Sequence, residues 1–264
     1  GGLPTPRSAD ERDYASTTIE AVALPEIAAE RRRVYCMPVS SKADAEPGRP
    51  TLWSATVDAL AFGADVDIQG ESIKVLTTPD EAVPRLVVVS AANVDHYRDE
   101  HLEESDLSPI EDPGQSWNAL TVGAFTNLDQ VPSDPTFRGY RALAAKGELS
   151  PHSRTSLLFG DRPWPVKPEI CMEGGNVLTD GHGGLETRHP LVSLRSTGIR
   201  NDVSFTSANA TSAATAQAAR LAARVMARYP SYWPETVRAL LVHEARWTQA
   251  MRLQLAACGD KKGE

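Results

Sequence analysis

Asn209-Ala210-Thr211-Ser212-Ala213-Ala214-Thr215-Ala216-Gln217-Ala218-Ala219 opens the stretch on which the reading of this chain turns. It runs on through Arg220-Leu221-Ala222-Ala223-Arg224-Val225-Met226-Ala227, and ten of the twenty residues from Ala208 to Ala227 are Ala. Such a segment predicts a helix over Thr211 to Tyr229. Small on every side, it reads as a central buried helix rather than an amphipathic surface one. A serine in its first turn sits at the positive end of the helix dipole. Its hydroxyl has two uses there. It can cap free backbone N–H groups, or it can attack a carbonyl whose developing negative charge those groups stabilise. The residues around Ser212 leave both open.

Working outward, Arg85-Leu86-Val87-Val88-Val89-Ser90 and Ala119-Leu120-Thr121-Val122-Gly123-Ala124 are short runs, apolar at successive positions. That pattern suits parallel strands covered on both faces. Val34-Tyr35-Cys36-Met37-Pro38-Val39 is a third strand, running into Ser40 and Ser41. Ile19 to Ala28 has helical character, and residues 1–19 read as polar and peripheral. Leu52 to Phe62 spaces Trp53, Val57 and Leu60 as a helix does, with Gly63 as its stop. Residues 42–50 form a loop. Residues 126–175, rich in Pro, Gly, Ser and charge, form a long irregular region with a short helix at Tyr140 to Lys146. Pro234, at a first helical turn, opens a last helix to Trp247. The expected fold class is α/β, three layers around a mostly parallel sheet, with 1–264 as one truncated domain.

The chain has 264 residues and a formal net charge of -8. An acidic balance argues against nucleic acid or an anionic membrane as partner. No apolar run reaches membrane-spanning length. The start at Gly1 resembles no signal peptide, and both termini read as those of a fragment. Cys36, Cys171 and Cys258 are too few and too scattered for a disulfide framework, which points to reduced thiols and a cytoplasmic location. The six His show no zinc spacing. No compact Asp/Asn cluster suggests calcium. No metal-ligating site residue and no cofactor is expected, and structural calcium is left open.

Four segments in order resemble the subtilase family of serine peptidases. Thr211-Ser212-Ala213-Ala214 is similar to the family's Gly-Thr-Ser-x-Ala-x-Pro nucleophile motif, with Ala210 in place of Gly and Thr215 in place of Pro. Val87-Val88-Val89-Ser90-Ala91-Ala92-Asn93 is similar to the strand ending in Ala-Gly-Asn, with Ala92 for Gly. Trp117 to Ala124 resembles Ala-Ile-x-Val-Gly-Ala. Leu149 to Arg154, then Val166-Lys167-Pro168-Glu169-Ile170 and Gly174-Gly175, resemble Ser-x-Phe-Ser-x-Arg-Gly and Lys-Pro-Asp-Ile-x-Ala-Pro-Gly. Tyr229-Pro230 and Thr236 to Leu241 look like the two helices after the nucleophile. The likeness covers about residues 34 to 247, in the manner of a bacterial intracellular branch.

The resemblance implies Ser212 as nucleophile, Asn93 as a side-chain donor to the oxyanion, and Met37, Pro38, Val39 and Ser40 as the segment that pairs with an extended peptide substrate. Pro38 would withhold one N–H from such pairing. The family's chain order is Asp, His, Ser, yet the first His here, His96, follows Asn93. The resemblance therefore implies that the catalytic Asp and His precede Gly1 or have been lost. His152, His182 and His243 are expected in surface or loop roles. The partner implied is a peptide or protein substrate, with oligomeric state unspecified. Two other readings differ in class. One is a degenerate subtilase that binds peptide without cleaving it, suggested by Ala92, Ala210 and Thr215. The other is a doubly wound nucleotide-binding domain, which lacks its Gly-rich phosphate loop here.

Overall fold

In a computed structural model, the structure describes residues 11–29, 31–42, 46–198 and 203–260. Expectations for residues 1–10, 43–45 and 261–264 lie outside the described residues. The chain enters through α1 (Glu11–Ala28), which starts well before the expected Ile19, and β1 (Val34–Met37), which stops before Pro38. Helix α2 (Leu52–Phe62) keeps its expected bounds because both ends are coded locally. Thr51 and Ser54 form a reciprocal capping box, and Gly63, at φ 106°, turns the chain out in the left-handed region.

A hairpin of β2 (Val66–Gln69) and β3 (Ser72–Val75) leads to β4 (Leu86–Ser90), a short α3 (His101–Asp106) and β5 (Leu120–Phe125). The expected helix at Tyr140 to Lys146 is absent, and Arg141–Ala142 is instead a short strand, β6. The reason is Asn176, which is fully buried. Its side chain accepts from the Ala144 N–H at 3.1 Å and donates to the Ala144 carbonyl at 2.8 Å, taking both groups a helix would need. The irregular region also holds an unforeseen strand, β7 (Ile170–Glu173). Short strands β8 (Leu178–Thr179), β9 (Leu185–Glu186), β10 (Leu194–Thr197) and β11 (Phe205–Ala208) precede α4 (Ala210–Arg228). Helix α5 (Pro234–Glu244) ends three residues short of Trp247, at an extended Ala245, and α6 (Gln249–Asp260) follows.

The central sheet is parallel throughout, in the order β1-β4-β5-β7. Strand β4 is buried along its whole length, as its unbroken apolar run requires. Its side chains divide by period two. Val88 joins Leu120, Val122, Ala214, Ala218 and Val237 on one side. Val87 and Val89 join Trp53, Val57 and Ala119 on the other. This is the expected three-layer α/β architecture, with α4 and α5 below the sheet and α1 and α2 above it.

Helix α4 departs from its expected surroundings. It is not enclosed all round. Ala214, Ala218, Ala222 and Met226 face the sheet, while Arg220, Arg224 and Arg228 repeat every four residues on an exposed face. The small residues serve closeness to the sheet on one side, and the guanidinium groups keep the other in water. Close approach matters at the helix start too. A Cβ added to Gly174, whose carbonyl accepts from the Ala210 N–H at 2.6 Å, would lie 2.3 Å from the Ala124 Cβ. Among the described residues, no helix is long and apolar enough to cross a membrane.

Candidate active site

The chain ends of β1, β4 and α4 meet at one edge of the sheet. Ser212 is the third residue of α4. That position leaves its backbone N–H without an intrahelical acceptor. Its hydroxyl donates to the Pro38 carbonyl at 2.9 Å, directly after β1. Asn93 lies three residues beyond β4. Its Oδ1 accepts from both the backbone N–H of Thr211, at 3.0 Å, and the Thr211 hydroxyl, at 2.7 Å. A backbone N–H only donates, so the amide oxygen of Asn93 must face Thr211. Its NH2 group is thereby turned to the other side. Thr211, 118 positions after Asn93, thus adjoins it, and the expected peptide-pairing segment adjoins Ser212.

The backbone takes an uncommon conformation at two points here. Ala92 has φ 70° and Ala210 has φ 69°. These are the residues before Asn93 and before Thr211, and each costs about 1 kcal/mol relative to glycine in the left-handed region. The strain is held by neighbours on both sides. Asn93 forms an antiparallel bridge with Ser153. Its carbonyl accepts from Arg154 Nε at 2.6 Å. The Ala210 N–H is fixed on the Gly174 carbonyl.

The expected substrate segment divides. Met37 and Val39 line an apolar cavity of about 480 Å³ between α1, α2 and β1, with Tyr14, Trp53 and Val57. That cavity includes neither Ser212 nor Asn93, so the converging donors locate the site better than volume does. Pro38 turns its carbonyl to Ser212, and Ser40 donates to Glu111 Oε2 at 3.2 Å. Strand β1 is an edge strand, with β4 on its inner side.

No imidazole hydrogen-bonds to Ser212 among the described residues. His182 and His243 are exposed, as expected of surface positions. His152 is not at the surface. It is 1% exposed, stacked edge-on against Tyr97, with Nδ1 2.7 Å from the Tyr97 hydroxyl. A loop residue is buried here because Ser150, Ser153 and Arg154 pin the loop beneath Asn93 through buried hydrogen bonds. Burial lowers the His152 pKa from 6.5 to about 4. The unfolded chain therefore binds the extra proton between those values, and stability falls as pH drops from 6.5 to 4. The loss by pH 4 is about 3 kcal/mol. Urea unfolding at pH 7 and pH 4 measures it, and His152→Gln should shrink the difference by about that amount. An unchanged difference would show that His152 titrates normally.

Sequence reasoning missed the network around Arg154 because its partners lie in segments with no shared motif. Arg154 Nη2 lies 2.8 Å from Glu111 Oε1 and 3.4 Å from Asp95 Oδ2. A second buried network lies below the sheet end. Glu169 binds Lys167 at 2.6 Å, Arg238 at 2.7 Å and the Thr121 N–H at 2.8 Å. Cys36 and Cys171 form no disulfide. Among the described residues, no cluster of His, Cys, Asp or Glu is arranged to hold a metal ion.

Comparison with known proteins gives a family. The peptidase S8 family, described as the subtilase family, matches residues 6–261. No curated protein matches the chain. Among solved structures the chain is similar to "Sphericase", at 20% identity and TM-score 0.48, over 90% of this chain and 56% of that one. It is similar also to "S41 Psychrophilic Protease", at 20% identity and TM-score 0.47, with the same 90% and 56% coverage. The chain thus spans little more than half the length of either.

Proposed function

The chain belongs to the subtilase family, a family of serine peptidases, and we propose that it carries the nucleophile and the oxyanion donor of a peptidase that hydrolyses peptide bonds through an acyl-enzyme. The observation that carries the reading is the shared contact of Asn93 and Ser212 with one helix turn. Thr211 holds the amide oxygen of Asn93, and the next residue is Ser212.

In this reading Ser212 Oγ attacks the substrate carbonyl, and its proton passes to a base. The carbonyl oxygen becomes negative and accepts from the Asn93 NH2 and the Ser212 N–H. Collapse expels the amine, which takes the proton from the base. Water then repeats the attack on the acyl-enzyme and frees Ser212. Among the described residues the Ser212 hydroxyl rests on the Pro38 carbonyl and not on an imidazole, so this reading takes the base from outside the contacts seen here. Substrate in extended form lies along residues 37–40, beside β1. By itself the chain would be nearly inactive.

The binding-only reading drew on Ala92, Ala210 and Thr215. The first two adopt the backbone that glycine would give, at a modest strain. The Thr215 hydroxyl folds back onto the Thr211 carbonyl at 2.7 Å, within the helix. None of the three displaces Asn93 or Ser212, which favours the enzyme.

Asn93→Ala in the full-length protein tests the donor. The expected result is a fall in kcat of about 10²–10³-fold with KM little changed, the magnitude subtilisin itself shows for a donor of this kind. A fall in kcat of less than about threefold would remove Asn93 from the mechanism.

A further inference from the structure

Arg154 is an arginine in the interior, 5% exposed. A buried guanidinium is costly unless its donors and its charge are both met. Here both are. Nε donates to the Asn93 carbonyl at 2.6 Å, Nη1 to the Pro109 carbonyl at 3.2 Å, and Nη2 to Asp95 Oδ2 at 3.4 Å. Nη2 also lies 2.8 Å from Glu111 Oε1. The shortest of these contacts goes to the residue whose side chain is assigned to the oxyanion.

That contact is half of a grip on one peptide unit. Arg154 holds the Asn93 carbonyl, and the His152 carbonyl accepts from the next N–H, that of Val94, at 3.1 Å. Both come from one loop, which also reaches the other half of the site. The Ser153 hydroxyl accepts from the Ala124 N–H in β5 at 3.0 Å, and the Ser150 hydroxyl donates to the Gly175 carbonyl at 2.6 Å. Gly174, one residue earlier, carries the carbonyl on which the Ala210 N–H rests. Residues 150–154 thus tie the backbone of Asn93 to the turn that seats the start of α4.

Asn93 needs such a grip. It stands beyond the end of β4, after a residue at φ 70°, so the central sheet does not fix it. Its amide oxygen is fixed on Thr211, and the direction of its NH2 group then depends on where its backbone lies. An oxyanion donor works through preorganisation, and a displacement of about 1 Å is enough to cost about 10²-fold in rate. A guanidinium suits the task. Its planar fork holds several oxygens in set directions, which an ammonium on a flexible stem does not. Glu111 balances its charge, and the second oxygen of Glu111 accepts from Ser40 at 3.2 Å.

We propose that Arg154 is a positioning residue for the oxyanion donor, holding the backbone of Asn93 so that its NH2 group meets the developing negative charge. The proposal rests on the peptidase reading above. In that reading Arg154 touches neither the substrate nor the reacting atoms. Its whole contribution to rate therefore passes through Asn93, and it vanishes when the Asn93 amide is gone.

The test is a double-mutant cycle on the full-length protein, with Arg154→Lys, Asn93→Ala and the two combined. Each kcat is taken per active site, counted by exhaustive labelling with an alkyl fluorophosphonate, so a loss of folded protein cancels. With Asn93 present, Arg154→Lys should lower kcat about 10- to 100-fold and change KM less than about threefold. In the Asn93→Ala background the same substitution should lower kcat less than about twofold. Equal losses in the two backgrounds, or no loss in kcat in either, would make Arg154 a structural ion pair and overturn the proposal. Should Arg154→Lys fail to fold, Glu111→Gln loosens the same guanidinium and is read by the same rule. A fall in kcat of about 3- to 10-fold that disappears with Asn93→Ala supports the proposal. A fall that persists there, or no fall at all, overturns it. Failure of the fluorophosphonate to modify Ser212 in the wild-type protein is a different result, which overturns the peptidase reading and the proposal with it.

Discussion

If Ser212 is the nucleophile as proposed, Ser212→Ala should abolish fluorophosphonate labelling of the full-length protein and lower its peptide hydrolysis by about six orders of magnitude, a loss of the size subtilisin itself shows on removal of its nucleophile. No neighbour on the same turn can stand in. The Thr211 hydroxyl is committed to Asn93 at 2.7 Å, and the Thr215 hydroxyl to the Thr211 carbonyl. Ala213 and Ala214 carry no nucleophile. The substitution itself is mild. It removes one hydrogen bond, to Pro38, and costs about 1 kcal/mol. Loss of labelling with a loss of stability no larger than that separates chemistry from folding. Labelling that persists in Ser212→Ala would place the reactive group elsewhere.

Glu169→Ala has the largest expected effect on stability, a loss of about 3–5 kcal/mol. Lys167, whose side chain is fully buried, keeps the Ala119 carbonyl at 3.1 Å but loses its ion pair with Glu169. The Thr121 N–H loses its acceptor inside the sheet, and Arg238 loses a partner. Desolvation already lowers the Lys167 pKa, so removal of the carboxylate favours deprotonation or partial unfolding of this corner. Lys167→Met should cost less, since it removes the buried charge as well as the pair, and Glu169 retains Arg238 and the Thr121 N–H. Urea denaturation at neutral pH gives both numbers. A cost below about 1 kcal/mol for Glu169→Ala would show that this carboxylate is a dispensable surface ion pair.

What the sequence made legible follows from how local the physics is. Helix α2 was readable to the residue because Thr51, Ser54 and Gly63 act within one turn of its ends. The strand Leu86–Ser90 was readable because burial on both faces demands an unbroken apolar run. Ser212 and Asn93 stood out through the motifs around them. The rest depended on distant partners. Asn176 converts a helical pattern at Tyr140 to Lys146 into a strand from across a loop. Strand β7 is four residues with a charge at each border, and only its pairing with β5 makes it a strand. His152 looked like a loop residue, and it is one, but the buried bonds of Ser150 and Arg154 carry that loop into the interior. The contacts of Glu111 left no local trace, because Ser40, Glu111 and Arg154 come from three separate segments.

The most direct measurement is a crystal structure of the full-length protein after reaction with a phosphonate. The account predicts phosphorus bonded to Ser212 Oγ, with a phosphoryl oxygen about 3 Å from both Asn93 Nδ2 and the Ser212 N–H. An adduct on another side chain, or a phosphoryl oxygen turned away from Asn93, would contradict it.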